Sequence, residues 1–237
     1  MWRSIAVADM DKDGDLDFVA GNIGLNNKFH FNASYPLNMW YADIDGNGST
    51  DPVMGYYMPS ETGKRALFPA KGLGDLAEQV PYFKKRYLLH KDFATAKMET
   101  VFENVQPVKL TANEAATSWF ENTGKGIFQQ HALPVEAQFA PVNCIVVNDY
   151  NNDGVTDILL AGNEYQAEVM TGYYDAGYGL LLLGLGNKNF KAMPQHVSGV
   201  FLRGDTRCMR TIVVKDKPVI IAAINNGPLQ LLGLKQK

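Results

Sequence analysis

The chain has 237 residues, 46% hydrophobic and 20% charged, which is enough to build a sizeable core and too apolar for wholesale disorder. A net charge of -3 gives no basic stripe for nucleic acid, and no apolar run reaches the ~20 residues a membrane helix needs. Two cysteines, Cys144 and Cys208, are too few for a disulfide scaffold and too distant for a C-x-x-C metal site, so both are expected free and packed.

Trp2 to Val7 reads as a strand, with no charged leader or cleavage site before it. The chain is therefore expected to begin inside a folded repeat, as a fragment of a longer protein. Ile5-Ala-Val-Ala8 then runs into Asp9-Met-Asp11-Lys-Asp13-Gly14-Asp15-Leu-Asp17, and Phe18-Val-Ala-Gly-Asn22 follows. A second acidic segment, Asp43-Ile-Asp45-Gly-Asn47-Gly48-Ser49-Thr-Asp51, comes only 34 residues later. That is too short for a full repeat. Either the first repeat has abbreviated outer strands or the second loop joins a different strand pair.

From Leu73 to Ala116 helix formers dominate. Phe83, Tyr87, Leu88, Phe93, Met98, Val101 and Phe102 recur at roughly helical spacing, and Lys84, Lys85, Arg86, Lys91 and Lys97 fall between them. This predicts a helical insertion over 73–116, with the basic residues on a solvated face. Strand pattern then returns. Trp119-Phe-Glu-Asn122-Thr-Gly124-Lys-Gly-Ile-Phe128 and Leu181-Leu-Leu-Gly184-Leu-Gly186-Asn-Lys-Asn-Phe190 are two copies of one glycine-turned hairpin. Between them lies the third acidic segment, Asp149-Tyr-Asn151-Asn-Asp153-Gly154-Val155-Thr-Asp157. It is preceded by Ile145-Val-Val147 and followed by Ile158-Leu-Leu-Ala-Gly-Asn163. In the tail, Ile212-Val-Val-Lys-Asp216 and Ile220-Ile-Ala-Ala223 match those flanks, with the loop contracted to Lys217-Pro218-Val219. Short apolar flanks bounded by turn residues predict that each acidic loop joins two buried strands. A repeat period near 60 with four strands points to propeller blades.

Each acidic segment reads D-x-[DN]-x-[DN]-G-x-x-D. Calcium takes ~6–8 oxygen ligands in a forgiving geometry, which acidic side chains at positions 1, 3, 5 and 9 of a tight loop can supply. Those positions hold Asp9, Asp11, Asp13 and Asp17; Asp43, Asp45, Asn47 and Asp51; and Asp149, Asn151, Asp153 and Asp157. Position 7, which is Asp15, Ser49 or Val155, is expected to offer its backbone carbonyl. Without a cation, so many carboxylates within nine residues repel one another. Up to three calcium ions are expected, and magnesium, which demands near-ideal octahedral geometry, is the weaker candidate.

The loops, the V-A-G-N and L-A-G-N strand ends and the N-x-G-x-G-x-F hairpin together resemble FG-GAP or VCBS-type repeats, the blades of integrin α-subunit propellers and of many secreted bacterial proteins. The resemblance covers most of the chain outside residues 65–116. It implies an all-β fold: a single partial β-propeller over 1–237, of about three to four antiparallel four-stranded blades. It also implies structural calcium and an extracellular, cell-surface or periplasmic setting, although this segment carries no signal peptide. The expected partners are a protein or carbohydrate ligand and the remaining blades of a longer chain.

No G-x-S-x-G, H-E-x-x-H or Walker-type motif is present, and His30, His90, His131 and His196 are scattered. The expected function is thus non-enzymatic calcium-dependent binding or adhesion. The alternatives are a purely architectural segment or, further off, a propeller-hosted hydrolase or lyase. Tyr56, Tyr57, Tyr165, Tyr173, Tyr174 and Tyr178 are candidates for an aromatic binding rim. Arg203-Gly204-Asp205 spells an adhesion tripeptide, although Asp205 and Arg207 are placed to pair locally.

Overall fold

A computed structural model describes residues 1–169 and 171–233 of the chain. The chain divides into two compact units, Met1–Lys28 with Ala115–Lys237, and Phe29–Glu114. Both are built mainly from antiparallel strands.

In the first unit β1 (Ser4–Ala8) and β2 (Asp17–Gly21) flank the first acidic loop. The chain then leaves to form the whole of the second unit. There β3 (Leu37–Ala42) and β4 (Asp51–Pro59) flank the second loop, and β5 (Arg65–Pro69) follows. Four short helices come next: α1 (Leu73–Gln79), α2 (Tyr82–Arg86), α3 (His90–Phe93) and α4 (Met98–Val101). The last element, β6 (Val108–Ala112), pairs back onto β3, so the sheet order is β5-β4-β3-β6. Helix thus ends at Val101, and part of the 73–116 segment is strand.

Helical spacing buries Phe83, Phe93, Met98, Val101 and Phe102 against Trp40, Val53 and Leu67 of the sheet. Leu88, counted among the apolar positions, is instead exposed. Lys84, Lys85, Lys91 and Lys97 are exposed as expected, and Arg86 pairs with Glu103 at 2.7 Å.

Back in the first unit, β7 (Ser118–Asn122) and β8 (Phe128–Ala132) complete the sheet that β1 and β2 began, in the order β1-β2-β7-β8. This resolves the short spacing of the first two loops. The outer strands of the first repeat are not abbreviated; they arrive after an inserted unit. A second sheet holds β9 (Val142–Asn148), β10 (Asp157–Gly162), β11 (Leu180–Gly184) and β12 (Phe190–Ala192), ordered as in the chain. A third holds β13 (Thr206–Val214), β14 (Lys217–Ile224) and β15 (Gln230–Gly233).

Strand alternation gives each sheet two faces. One face of the first sheet, with Val19 and Trp119, packs on Ile145, Ile158, Leu160 and Leu182 of the second. The other face of the second sheet, with Cys144, Leu159 and Ala161, packs on Met209, Ile220 and Ala222 of the third. The glycine of the A-G-N strand ends follows from close backbone approach, between sheets at Gly21 and within the second sheet at Gly162. A Cβ at Gly21 would meet the Val142 carbonyl, and one at Gly162 the Pro141 carbonyl. The same backbones are joined by Val142 N–H to the Asn22 carbonyl at 2.9 Å and Asn163 N–H to the Pro141 carbonyl at 3.0 Å.

The last repeat keeps its strands and replaces the acidic loop by the two-residue turn Lys215-Asp216, both at positive φ (49° and 60°). That is the backbone of a tight hairpin turn whose twist matches its strands. Lys217, Pro218 and Val219, expected to form the contracted loop, instead pair as the start of β14. Of the two cysteines, both free, Cys144 is buried as expected but Cys208 is exposed. Its side chain lies on the face of β13 opposite the buried Met209.

Candidate metal centre

The three acidic loops fold alike because their short side chains hydrogen-bond their own backbone. At position 1, Asp9 accepts the N–H of Gly14 (3.2 Å), Asp43 that of Gly48 (2.8 Å) and Asp149 that of Gly154 (2.7 Å). At position 3, Asp11, Asp45 and Asn151 accept the N–H of position 5, at 3.3, 3.3 and 3.0 Å. Position 5 accepts from position 7: Asp15 to Asp13 (3.0 Å), Ser49 to Asn47 (2.7 Å) and Val155 to Asp153 (2.8 Å).

These bonds require two left-handed residues per loop. The glycine at position 6 sits at φ of 83° to 96° in all three. Position 4 is also left-handed, with Lys12 at 65°, Gly46 at 73° and Asn152 at 60°. The pattern D-x-[DN]-x-[DN]-G-x-x-D fixes glycine only at position 6, and of the position-4 residues Gly46 and Asn152 are types that tolerate this conformation.

Position 9 does something different. Asp17 is buried and accepts the N–H of Met10 at 2.9 Å and that of Asn122, on β7, at 2.7 Å. Asp157 is buried and accepts the N–H of Tyr150 at 2.8 Å and that of Gly184, on β11, at 2.9 Å. Asp51 accepts the N–H of Ile44 at 3.0 Å. In the first and third loops this carboxylate therefore ties the loop to the third strand of its own sheet.

Carboxylate oxygens of Asp9, Asp11 and Asp17 lie within 4.8 Å of one another, as do those of Asp43, Asp45 and Asp51, and each triad can hold a metal ion. The third loop, with Asn151 at position 3, gathers no such all-carboxylate triad among the described residues. Asp13 and Asp153 hold the turn through position 7 and stand outside the triads.

The electrostatics are those of crowded acids. Burial, then repulsion from Asp13, Asp17, Asp11 and Asp9, raises the Asp15 carboxyl above its usual value. One Asp15 oxygen is buried without a hydrogen-bond partner. Burial also raises Asp157, against its two backbone N–H bonds. The N–H of Val155, the Asn151 amide and Lys12 lower Asp153.

Basic groups already lean on these loops. Lys188, in the β11–β12 turn, places Nζ 3.2 Å from Asp11 Oδ2 and also pairs with Glu121. Glu121 in turn meets His131 at 2.9 Å, and His131 stacks on Trp119. The first and third loops are neighbours, since Thr156 Oγ1 donates to the Asp9 carbonyl at 3.1 Å. No sequence signal marked Lys188, which lies 177 residues from Asp11.

The other sequence candidates fare unevenly. Tyr165 stacks on Tyr173 (5.0 Å) and Tyr178 on Phe201 (5.5 Å), while Tyr56 meets Phe29 and Tyr57 meets Tyr35 in the second unit. Arg203-Gly204-Asp205 is not displayed for adhesion. Asp205 is buried and its Oδ2 is held by Arg207 at 2.6 Å. Glu164 bridges Arg3 (2.9 Å) and Arg207 (2.8 Å), a cluster that periodicity could not reveal because its members come from β-strand ends far apart in the chain. Among the described residues no helix is long and apolar enough to cross a membrane.

Comparison of the chain with protein-family models and with curated proteins gives no match.

Proposed function

We propose that this chain is a non-enzymatic, calcium-binding β-propeller repeat region of a secreted or surface protein, acting in the binding of a protein or carbohydrate ligand. The observation that carries the reading is the shared hydrogen-bond pattern of the three loops. In each, carboxylate or amide oxygens at positions 1, 3 and 5 turn inward to accept loop N–H groups, and those same oxygens would serve as ligands of one ion. The donor set is entirely oxygen, which suits a hard cation, and an irregular loop favours calcium over magnesium.

Asp9, Asp11, Asp13 and Asp17 would hold one ion; Asp43, Asp45, Asn47 and Asp51 a second; Asp149, Asn151, Asp153 and Asp157 a third. The carbonyls of Asp15, Ser49 and Val155 would complete each set. The ion's role is to offset the mutual repulsion that, together with the larger effect of burial, raises Asp15. The propeller reading is supported by the stacking of three sheets in the first unit, two of them four-stranded and built from the same loop and hairpin.

Calorimetric titration of chelated protein with calcium tests the proposal. It should reveal up to three sites, of micromolar to millimolar affinity, and a calcium-dependent rise in melting temperature. The absence of both binding heat and a thermal shift would remove calcium from the account.

A further inference from the structure

Between α2 and α3 of the second unit the chain passes through Leu88 and Leu89, and neither belongs to that unit's core. Leu88 is 81% exposed and Leu89 52%, and every residue from Leu88 to Asp92 is exposed. The connector is nevertheless held firmly. Phe83 and Phe93 are buried on either side of it, and Tyr87 stacks on Phe83 (6.3 Å) and meets Phe93 edge-on (5.2 Å). The Tyr87 N–H donates to the Phe83 carbonyl and the Asp92 N–H to the Leu89 carbonyl, both at 3.0 Å. The two leucines are thus presented outward by elements whose inward aromatic residues already fill the core.

Positive charge is concentrated around them, in a chain that is acidic as a whole. Residues 82–97 carry five Lys and Arg and a single acid, Asp92, whereas the full chain has 22 Lys and Arg to 25 Asp and Glu. Arg86 is taken up by Glu103 at 2.7 Å. Lys84, Lys85, Lys91 and Lys97 are exposed and, among the described residues, form no ion pair. Tyr82, on α2 with the first two lysines, is 44% exposed. A solvated face accounts for the lysines, but not for two adjacent leucines set among them. Single exposed apolar residues are ordinary, whereas a contiguous pair flanked by charge marks an interaction surface.

We infer that this turn docks on a lipid bilayer carrying anionic headgroups, with Leu88 and Leu89 entering the headgroup–acyl boundary and Lys84, Lys85 and Lys91 lying against the phosphates. The partner follows from the two chemistries taken together. Unpaired ammonium groups are drawn to the negative surface of such a bilayer. Leucine side chains gain by leaving water for its apolar boundary, and a half-exposed tyrosine suits the interface itself. A soluble polyanion would engage the lysines and leave the leucines in water. The inference rests on exposure and charge within the second unit and is independent of whether the acidic loops take calcium.

The test is flotation of the full chain, in chelator, with vesicles of equal parts phosphatidylcholine and phosphatidylserine, against vesicles of phosphatidylcholine alone. The wild type is expected to bind the anionic vesicles, to bind the neutral ones far less, and to be released by salt, which screens surface charges. Lys84→Gln with Lys85→Gln should weaken binding by about 25-fold, at roughly fivefold per lysine. Leu88→Ser with Leu89→Ser should weaken it by about tenfold or more. All four side chains are exposed, so both variants are expected to fold, which circular dichroism melts verify; Lys91→Gln and Leu88→Ser alone replace a double variant that fails. A wild type that ignores the anionic vesicles, or binds both kinds equally, overturns the inference. So does a loss confined to one of the two variants; if only the lysines matter, the surface serves soluble anionic partners and no bilayer.

Discussion

Replacing Asp157 by Asn separates the two jobs of the acidic loops. Asp157 is fully buried and accepts the N–H of Tyr150 (2.8 Å) through Oδ2 and that of Gly184 (2.9 Å) through Oδ1. Asparagine keeps one acceptor and turns an NH2 toward the other donor. One charge-assisted bond, about 1.5–3 kcal/mol, is lost and a buried N–H is left unpaired. Removing the charge relieves part of the burial penalty that raises this carboxyl, so the net loss is about 2 kcal/mol. For a domain of this size that is a fall of about 4–8 °C in Tm. The fall should be present in chelator, because the strand tie needs no ion. Asp153→Asn is the comparison. Its carboxylate is exposed and serves the turn alone, so in chelator the loss should stay within about 0.5 kcal/mol. Differential scanning calorimetry in chelator and in calcium reads both. Equal losses for the two variants in chelator, or no loss at Asp157, would refute the assignment of position 9 as the tie between strands.

Other consequences follow from named contacts. Burial works to raise Glu164, but Arg207 and Arg3 overcome it and hold the carboxyl at about 2, below its ordinary 4.5. A depressed folded-state value stabilises above the unfolded value and is lost as pH falls. Glu164→Gln should therefore cost about 1–2 kcal/mol at neutral pH after solvent screening, shrinking between pH 4.5 and 2 in urea melts. Lys188→Met removes the ammonium 3.2 Å from Asp11, so calorimetry should show tighter calcium binding at the first loop and unchanged binding elsewhere. Unchanged affinity at all three would mean that Lys188 does not compete with the ion. Phe83, with no exposed surface, anchors α2 against the second unit's core, and Phe83→Ala should cost about 3–5 kcal/mol in that unit. A loss below about 1 kcal/mol would show that the site collapses around the gap.

Much of this architecture is readable from residue patterns. The paired flanks of the acidic loops, Ile5–Ala8 and Ile158–Ala161 among them, became antiparallel strands because short apolar runs bounded by turn residues have few other ways to pack. The contraction of the last loop followed from the missing residues between Ile212 and Ile220. What escaped were features set by tertiary proximity. That β7 returns to β2 after an inserted unit has no local signal, since Phe120 finds Phe18 only once the intervening chain is folded. The double role of Asp17 and Asp157 was hidden because their second donors, Asn122 and Gly184, sit on a different strand. Cys208 reads as a packed hydrophobe until strand parity turns its side chain away from the face that buries Met209.

The insertion between β2 and β7 also bears on the order in which the chain folds. Phe18 and Phe120 are partners separated by 102 positions, and closing such a span from an unfolded chain is slow and entropically costly. Within the second unit, however, Leu37 near the entry pairs with Ala112 near the exit. Once that unit is folded its two ends are held together, and the free chain linking Phe18 to Phe120 shrinks to roughly a quarter of its length. The logarithmic dependence of closure on length makes this about 1 kcal/mol in favour of the β2–β7 pairing. The inserted unit thus serves as a folding clasp for the sheet it interrupts. Damage to its core at Phe83 should register as slower assembly of a sheet in which Phe83 takes no part.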